Sequence, residues 1–211
     1  TMVDFGPFDS PTDTTISVAV IATDSIGNTT ECISNIQIFC GVPPFDSVGI
    51  AKREVSAISQ PDGCTEITYE LNIENFGNTT LTSVQVEDDL IAAGFDMCIG
   101  FEVLSITSDD LTVNDDFDGD ADINLLDGDD DLPAGDQSAI LLTVSICGCA
   151  DGTMISNQAS ISALGPDGTE LMDLSDSGSD PGGDNPADPS DAGTNMDPTV
   201  TMLGLSPSIG G

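Results

Sequence analysis

From Asn114 to Asp136 the chain reads NDDFDGDADINLLDGDDDLPAGD, with a carboxylate at every second position through Asp116, Asp118, Asp120 and Asp122. Carboxylates this dense repel one another and hold a loop open unless positive charge sits among them. A hard divalent cation would supply it. Calcium takes about six to eight oxygen ligands in flexible geometry, and alternating Asp and Asn broken by Gly can wrap such an ion. The candidate ligands here are Asn114, Asp116, Asp118, Asp120, Asp122, Asp127, Asp129, Asp131 and Asp136. The competing reading is a solvated, disordered acidic loop.

The spacing matches the first half of a helix-loop-helix calcium loop but not the whole of it. Counting from Asn114 puts Asp116, Asp118 and Gly119 in place and leaves Leu125 where a bidentate Glu belongs; counting from Asp116 brings Asp127 there and displaces the Gly. A second acidic stretch, residues 173–198, is rich in Gly, Pro, Asp and Ser, too polar for a core and too long for an ordinary loop. It is either disordered or tied down by a second calcium ion, with Asp173, Asp176, Asp180 and Asp184 as ligands and Asp188 and Asp191 beyond them.

Composition narrows the class. The chain has 211 residues, 38 acidic and 2 basic side chains, no His and a formal charge of -36, yet 38% of it is hydrophobic. That apolar share exceeds what a disordered acidic tail carries and suits one or two modest domains. Nucleic acid and anionic membranes both require clustered Lys and Arg, so the charge excludes them as partners. Self-repulsion destabilises the folded state and would be relieved by salt or divalent cations.

Catalytic chemistry is also poorly provided for. Without His there is no Ser/His/Asp or Cys/His nucleophile system. No Gly-rich phosphate loop with Lys is present. Two carboxylates could in principle cleave a glycoside, but with no Trp and a single Tyr there is little to line a sugar cleft. The expectation is a non-enzyme. The basic residues, Lys52 and Arg53, are read as an exposed salt-bridging pair at the start of a domain, in preference to a buried Lys joined to an Asn such as Asn157, as in the internal isopeptide bonds of some surface pilins.

Six cysteines, Cys32, Cys40, Cys64, Cys98, Cys147 and Cys149, lack the tight paired spacing or His partners that zinc requires. Disulfides suit them better, and with them an oxidising, calcium-rich exterior. The preferred local bridge is Cys32 to Cys40, flanking one short apolar run, with the other four pairing among themselves. Two Asn-x-Thr sequons, at Asn28 and Asn78, are candidate glycosylation sites. No apolar run nears the ~18 residues of a membrane span, and the chain opens on Thr1 without a charged, then apolar, leader, which reads as a processed chain or an excised segment.

The elements that must carry these residues are strands. Thr15 to Thr23 and Cys32 to Cys40 form a hairpin around Gly27 and Asn28, within a partial β segment spanning residues 1–40. Residues 41–47, GVPPFDS, make a semi-rigid linker. In the main domain, residues 48–205, strands are expected at Val48 to Ser59, Cys64 to Asn75, Leu81 to Asp88, Phe101 to Val113, Ser138 to Cys147, Met154 to Leu164 and Thr199 to Leu205, followed by a tail over 206–211. Ile67, Tyr69, Leu71 and Ile73 share one face and should be core. This is an all-β pattern, an antiparallel immunoglobulin-like β-sandwich with long acidic calcium-binding loops behind an incomplete N-terminal β-domain.

Two resemblances rest on particular residues. Ala22, Thr23, Asp24, Gly27, Asn28 and Cys32 are similar to the closing strands of a hyalin-repeat or related immunoglobulin-like domain. Asn75, Gly77, Asn78, Thr80 through Val86 and Asp88, with Asn124, Leu125, Leu126, Gly128, Leu132, Ala134 and Gly135, resemble a conserved repeat domain, of unknown function, found in tandem along large bacterial surface proteins; the likeness covers roughly residues 48–203. It implies an extracellular, cell-surface structural module of a filament, stalk or adhesin, and no catalysis. The extra cysteines and denser Asp content depart from that pattern. Two strands cannot bury a core alone, so the first segment needs strands from upstream or from another copy, which would add head to tail and grow a filament. The alternative is a calcium-dependent adhesive or carbohydrate-binding module that contacts surface glycans.

Overall fold

A computed structural model describes residues 14–38, 44–182 and 197–204. Its regular structure is all strand apart from a single 3-10 turn at Phe95–Met97 among the described residues. The chain divides into two compact units, Thr1–Pro44 and Phe45–Gly211.

In the first unit β1 (Thr14–Thr23) and β2 (Thr29–Ile38) form a two-stranded antiparallel hairpin in continuous register from Thr14 opposite Ile38 to Thr23 opposite Thr29. Asp24 fixes the turn. Its carboxylate accepts the Ile26 and Asn28 amides and the Asn28 side chain, and these bonds, that from the Asn28 side chain foremost, hold its carboxyl below the usual carboxylate range. Val20, Ile21 and Ile33 are exposed on this ribbon.

The second unit consists mainly of two sheets. One is ordered β12, β3, β4, β8, β6, namely Asp176–Ser177, Val48–Ser59, Cys64–Asn75, Gln137–Cys147 and Gly100–Ser108. The other is ordered β11, β10, β5, β7, namely Glu170–Leu174, Ala159–Leu164, Leu81–Asp88 and Asp130–Leu132. A short ribbon pairs β9 (Met154–Asn157) with β13 (Thr199–Met202). Pairing is antiparallel except where β12 runs parallel to β3. This is the arrangement of a β-sandwich. Ile67, Tyr69, Leu71 and Ile73 on β4 interleave with Leu81, Val84 and Val86 on β5 and Ile140, Leu142, Val144 and Ile146 on β8 in one buried core.

Several expectations change at their edges. Phe45 and Asp46 belong to the second unit rather than to a linker, since Phe45 exchanges hydrogen bonds with Asn78 across the β4–β5 turn. β6 stops at Ser108, whose hydroxyl accepts the Leu111 amide and turns the chain. The stretch Met154 to Leu164 breaks at Gln158 because β9 pairs with β13 while β10 pairs with β5 and β11. No helix among the described residues is long and apolar enough to cross a membrane.

Candidate functional site

The acidic loop is ordered by its own carboxylates. Asp118 Oδ1 accepts the amides of Asp120 and Asp122, Asp122 Oδ1 accepts the amide and side chain of Asn124, and Asp122 Oδ2 accepts Asn114 Nδ2. Backbone hydrogen bonds dominate the shifts of both aspartates and hold each carboxyl below its ordinary value. The loop is also stitched to β5 by Asp88 N to Ile123 O and Leu125 N to Val86 O. It then drives Phe117, Leu125 and Leu126 into the core. Burying three large side chains at roughly 1.5–3 kcal/mol each opposes the charge repulsion.

Gly119 lets this close approach happen. Its φ is +73°, and a Cβ there would lie 2.4 Å from Leu90 Cδ1. Only Gly fits.

Of the expected calcium ligands, Asn114, Asp118, Asp120 and Asp122 are drawn together by these hydrogen bonds. Asp116, Asp118, Asp120, Asp127, Asp129, Asp131 and Asp136 are exposed around the loop, Asn114 and Asp122 are half-buried, and Asp118 and Asp122 commit oxygens to backbone amides. Asp130, not among the expected ligands, accepts the amide and hydroxyl of Thr112. In the second acidic stretch Asp173 is buried, with Oδ2 accepting the Ile50 amide; burial raises its carboxyl. Asp176 is buried and Asp180 is exposed, capping the Gly182 amide. Asp184 lies outside the described residues. Among the described residues no three or more acidic side chains gather into a group that could hold a metal.

The cysteines divide differently from expectation. Cys64 is bonded to Cys147 and Cys98 to Cys149, closing separations of 83 and 51 residues. Cys64 and Cys147 are also direct partners in the β4–β8 register. Cys32 is an exposed free thiol, which corrects the bridge to Cys40. Between Cys32 and Ile38 the chain is continuous strand, a span of about 20 Å that two further residues cannot fold back, whereas a disulfide needs Cα atoms within about 7 Å. Cys40 itself lies outside the described residues. The sequon residues Asn28 and Asn78 are both exposed.

The largest departure concerns the two basic residues. Strand alternation sends Arg53 outward to an ion pair with Glu70 and sends Lys52 inward, where it is 0% exposed. Lys52 follows Val48 and Ile50 at the next core-facing position of β3. Its ammonium pairs with Asp88, itself 0% exposed, and lies 4.8 Å from the centre of the Tyr69 ring. Desolvation dominates and lowers the Lys52 pKa, with Asp88 opposing it. Removing one partner of such a buried pair costs about 3–5 kcal/mol.

Asn157 completes the cluster. It is 0% exposed, and neither its Nδ2 nor its Oδ1 has a hydrogen-bond partner; Asp88 Oδ1 also lacks one. The register sets these residues close together. Asn157 faces Thr199, whose hydroxyl donates to the Lys52 carbonyl at 2.5 Å, and Asp88 faces Ala159, two residues beyond Asn157. Tyr69 hydroxyl bonds Thr201 Oγ1 at 3.0 Å on the same ribbon. The signal in the sequence is a polar residue where alternation demands an apolar one: Ile50 then Lys52, Val86 then Asp88, Ile155 then Asn157. An unpaired buried amide costs about 1–3 kcal/mol for each group, so this cluster calls for an explanation beyond packing.

An open polar groove is lined by Asn72, Asp110, Gln137, Ser138, Ser179 and Asp180. No family model matches the chain, and no curated protein matches it.

Proposed function

We propose that the chain is a structural module of an extracellular bacterial filament or stalk, an immunoglobulin-like sandwich that bears load between tandem or self-associating copies. The observation that carries this reading is the pair of disulfides, Cys64–Cys147 and Cys98–Cys149, in a sandwich whose apolar side chains fill its own core. Disulfides persist in oxidising compartments. The formal charge of -36 supports a module kept in solution among like copies. The exposed apolar residues of the β1–β2 ribbon support strand contacts with further strands, from a preceding repeat or from another copy.

Calcium belongs to this proposal as a modulator of charge. Among the described residues no three acidic side chains form a ready-made group, so the reading asks that the ion bind carboxylates along residues 114–136 and relieve their repulsion beyond what a monovalent salt does by screening. The test is electron microscopy of the purified chain in millimolar calcium and again in a chelator. Fibres or end-to-end chains in calcium support a self-assembling subunit. Monodisperse particles under both conditions refute self-assembly.

A further inference from the structure

We propose that Lys52 and Asn157 become joined by an intramolecular isopeptide bond, formed by the protein itself with Asp88 as its acid and base. Three independent observations meet at this point. A lysine sits fully buried against a carboxylate, a fully buried amide has no hydrogen-bond partner at either end, and the strand register carries both to the same corner of the sandwich. Thr199 links them directly, facing Asn157 across the β9–β13 ladder while its hydroxyl holds the Lys52 carbonyl.

The site is also suited to the chemistry. A buried ammonium and carboxylate are both penalised by lost hydration, and passing the proton from Lys52 Nζ to Asp88 neutralises both. The amine so freed carries a lone pair and is the nucleophile. Attack on Asn157 Cγ forms the new C–N bond and moves the carbonyl electrons onto Oδ1, where the Asp88 carboxyl donates a hydrogen bond. The excess proton on the attacking nitrogen passes by way of Asp88 to Nδ2. The Cγ–Nδ2 bond then breaks and ammonia leaves. An ammonium, a carboxylate and a primary amide thus become a secondary amide, a carboxylic acid and ammonia, balanced in atoms and charge and without oxidant or cofactor. Holding the groups rigidly in a water-poor core substitutes for an external catalyst. Tyr69 closes one side, with its ring over Nζ and its hydroxyl tied to Thr201. The product removes both anomalies, since neither a buried ammonium nor an unpartnered primary amide remains.

This inference stands apart from the filament reading, because it is decided by the covalent state of the purified chain whatever that chain assembles into. Lys52 and Arg53 are the only tryptic residues, and both disulfides lie beyond them. The intact wild-type chain should weigh less than its sequence, corrected for disulfides, by one ammonia. After unfolding, reduction and trypsin, cleavage following Arg53 should leave one species heavier by one water, with residues 1–53 still attached through Asn157. Lys52→Met, Asp88→Ala and Asn157→Ala should each restore the full mass and yield two separate large fragments, one ending at residue 52 or 53 and the other running to Gly211. A wild-type chain of full mass, or one that separates into two fragments, overturns the proposal without reference to any variant. Loss of ammonia that survives in Lys52→Met overturns it as well, by assigning the loss to cyclisation at another amide.

Discussion

Replacing Cys64 and Cys147 by Ser tests the mechanical core of the second unit. The bridge spans 83 residues, and in the chain-entropy treatment a loop of that size restrains the unfolded state by about 4.5 kcal/mol. If Lys52 is joined to Asn157, the unfolded chain is already pinned outside the disulfide. The bridge then closes an effective circuit of roughly two dozen residues, from Cys64 back to Lys52 and from Asn157 back to Cys147, and its contribution drops to about 3.5 kcal/mol. At roughly 2–4 °C per kcal/mol for a unit of this size, the melting temperature of the joined chain should fall by about 7–14 °C. Calorimetry of the wild-type and double-Ser chains at equal pH and salt measures it. The β4–β8 register, continuous from Cys64 opposite Cys147 to Glu74 opposite Gln137, holds the strands together in the variant, so two-state melting should persist. A fall of less than about 3 °C would refute the entropic reasoning.

Other expectations follow from the loop and its charges. Leu125→Ala should cost about 2–5 kcal/mol in urea unfolding, because Leu125 is fully buried although it lies in an acidic loop; a cost near zero would mean that the loop does not plug the core. Gly119→Ala should destabilise by at least about 1–2 kcal/mol from its positive φ alone, with the contact to Leu90 adding to that, again read from urea midpoints. Asp118, Asp122 and Asp167 have depressed folded-state pKa values, so their stabilisation is present above 3.8 and is lost as pH falls through the lower folded values. Asp173, raised by burial, acts in the opposite sense: its contribution is full below 3.8 and is lost as pH rises through its higher folded value. Circular dichroism melts should therefore lose stability below about pH 3.8, and Asp173→Asn should flatten the profile just above it; a wild-type melting temperature that climbs steadily into acid would contradict this. Calcium should raise the melting temperature more than sodium chloride of equal ionic strength, and equal effects would reduce the ion to simple screening.

The regular strands were legible because their chemistry is local. Val48 to Ser59, Cys64 to Asn75 and Leu81 to Asp88 carry their alternation and turn residues within themselves, and each forms over those bounds. The acidic loop was legible as a unit. Counting carboxylates points to a metal; what the count does not show is that Asp118 and Asp122 each turn an oxygen toward neighbouring amides and that Leu125 and Leu126 supply the inward force. Lys52 was misjudged because basic side chains are ordinarily exposed. The inward alternation of β3 implied the opposite, the buried Lys near Asn157 was the reading set aside, and nothing along the chain indicates that Asp88 arrives beside them. That proximity is a product of register between strands far apart in sequence. Cys32 shows the converse error, where nearness along the chain is separation in an extended strand.

The disulfide across β4 and β8 also sets how far the unit can be drawn out. A residue contributes at most about 3.3–3.6 Å of extended length, so the 83-residue separation between Cys64 and Cys147 conceals roughly 280 Å of slack. In a chain whose Lys52 and Asn157 are not joined, tension arriving along β3 passes through sulfur into β8 and leaves that slack untouched, and reduction would release it and approximately double the unit's reach. In the joined chain the amide lies outside the bridge and carries the tension first, so that slack stays shut away in oxidising and reducing media alike. A string of joined units would thus hold its length whatever the redox state of its surroundings, and only unjoined units would lengthen on reduction.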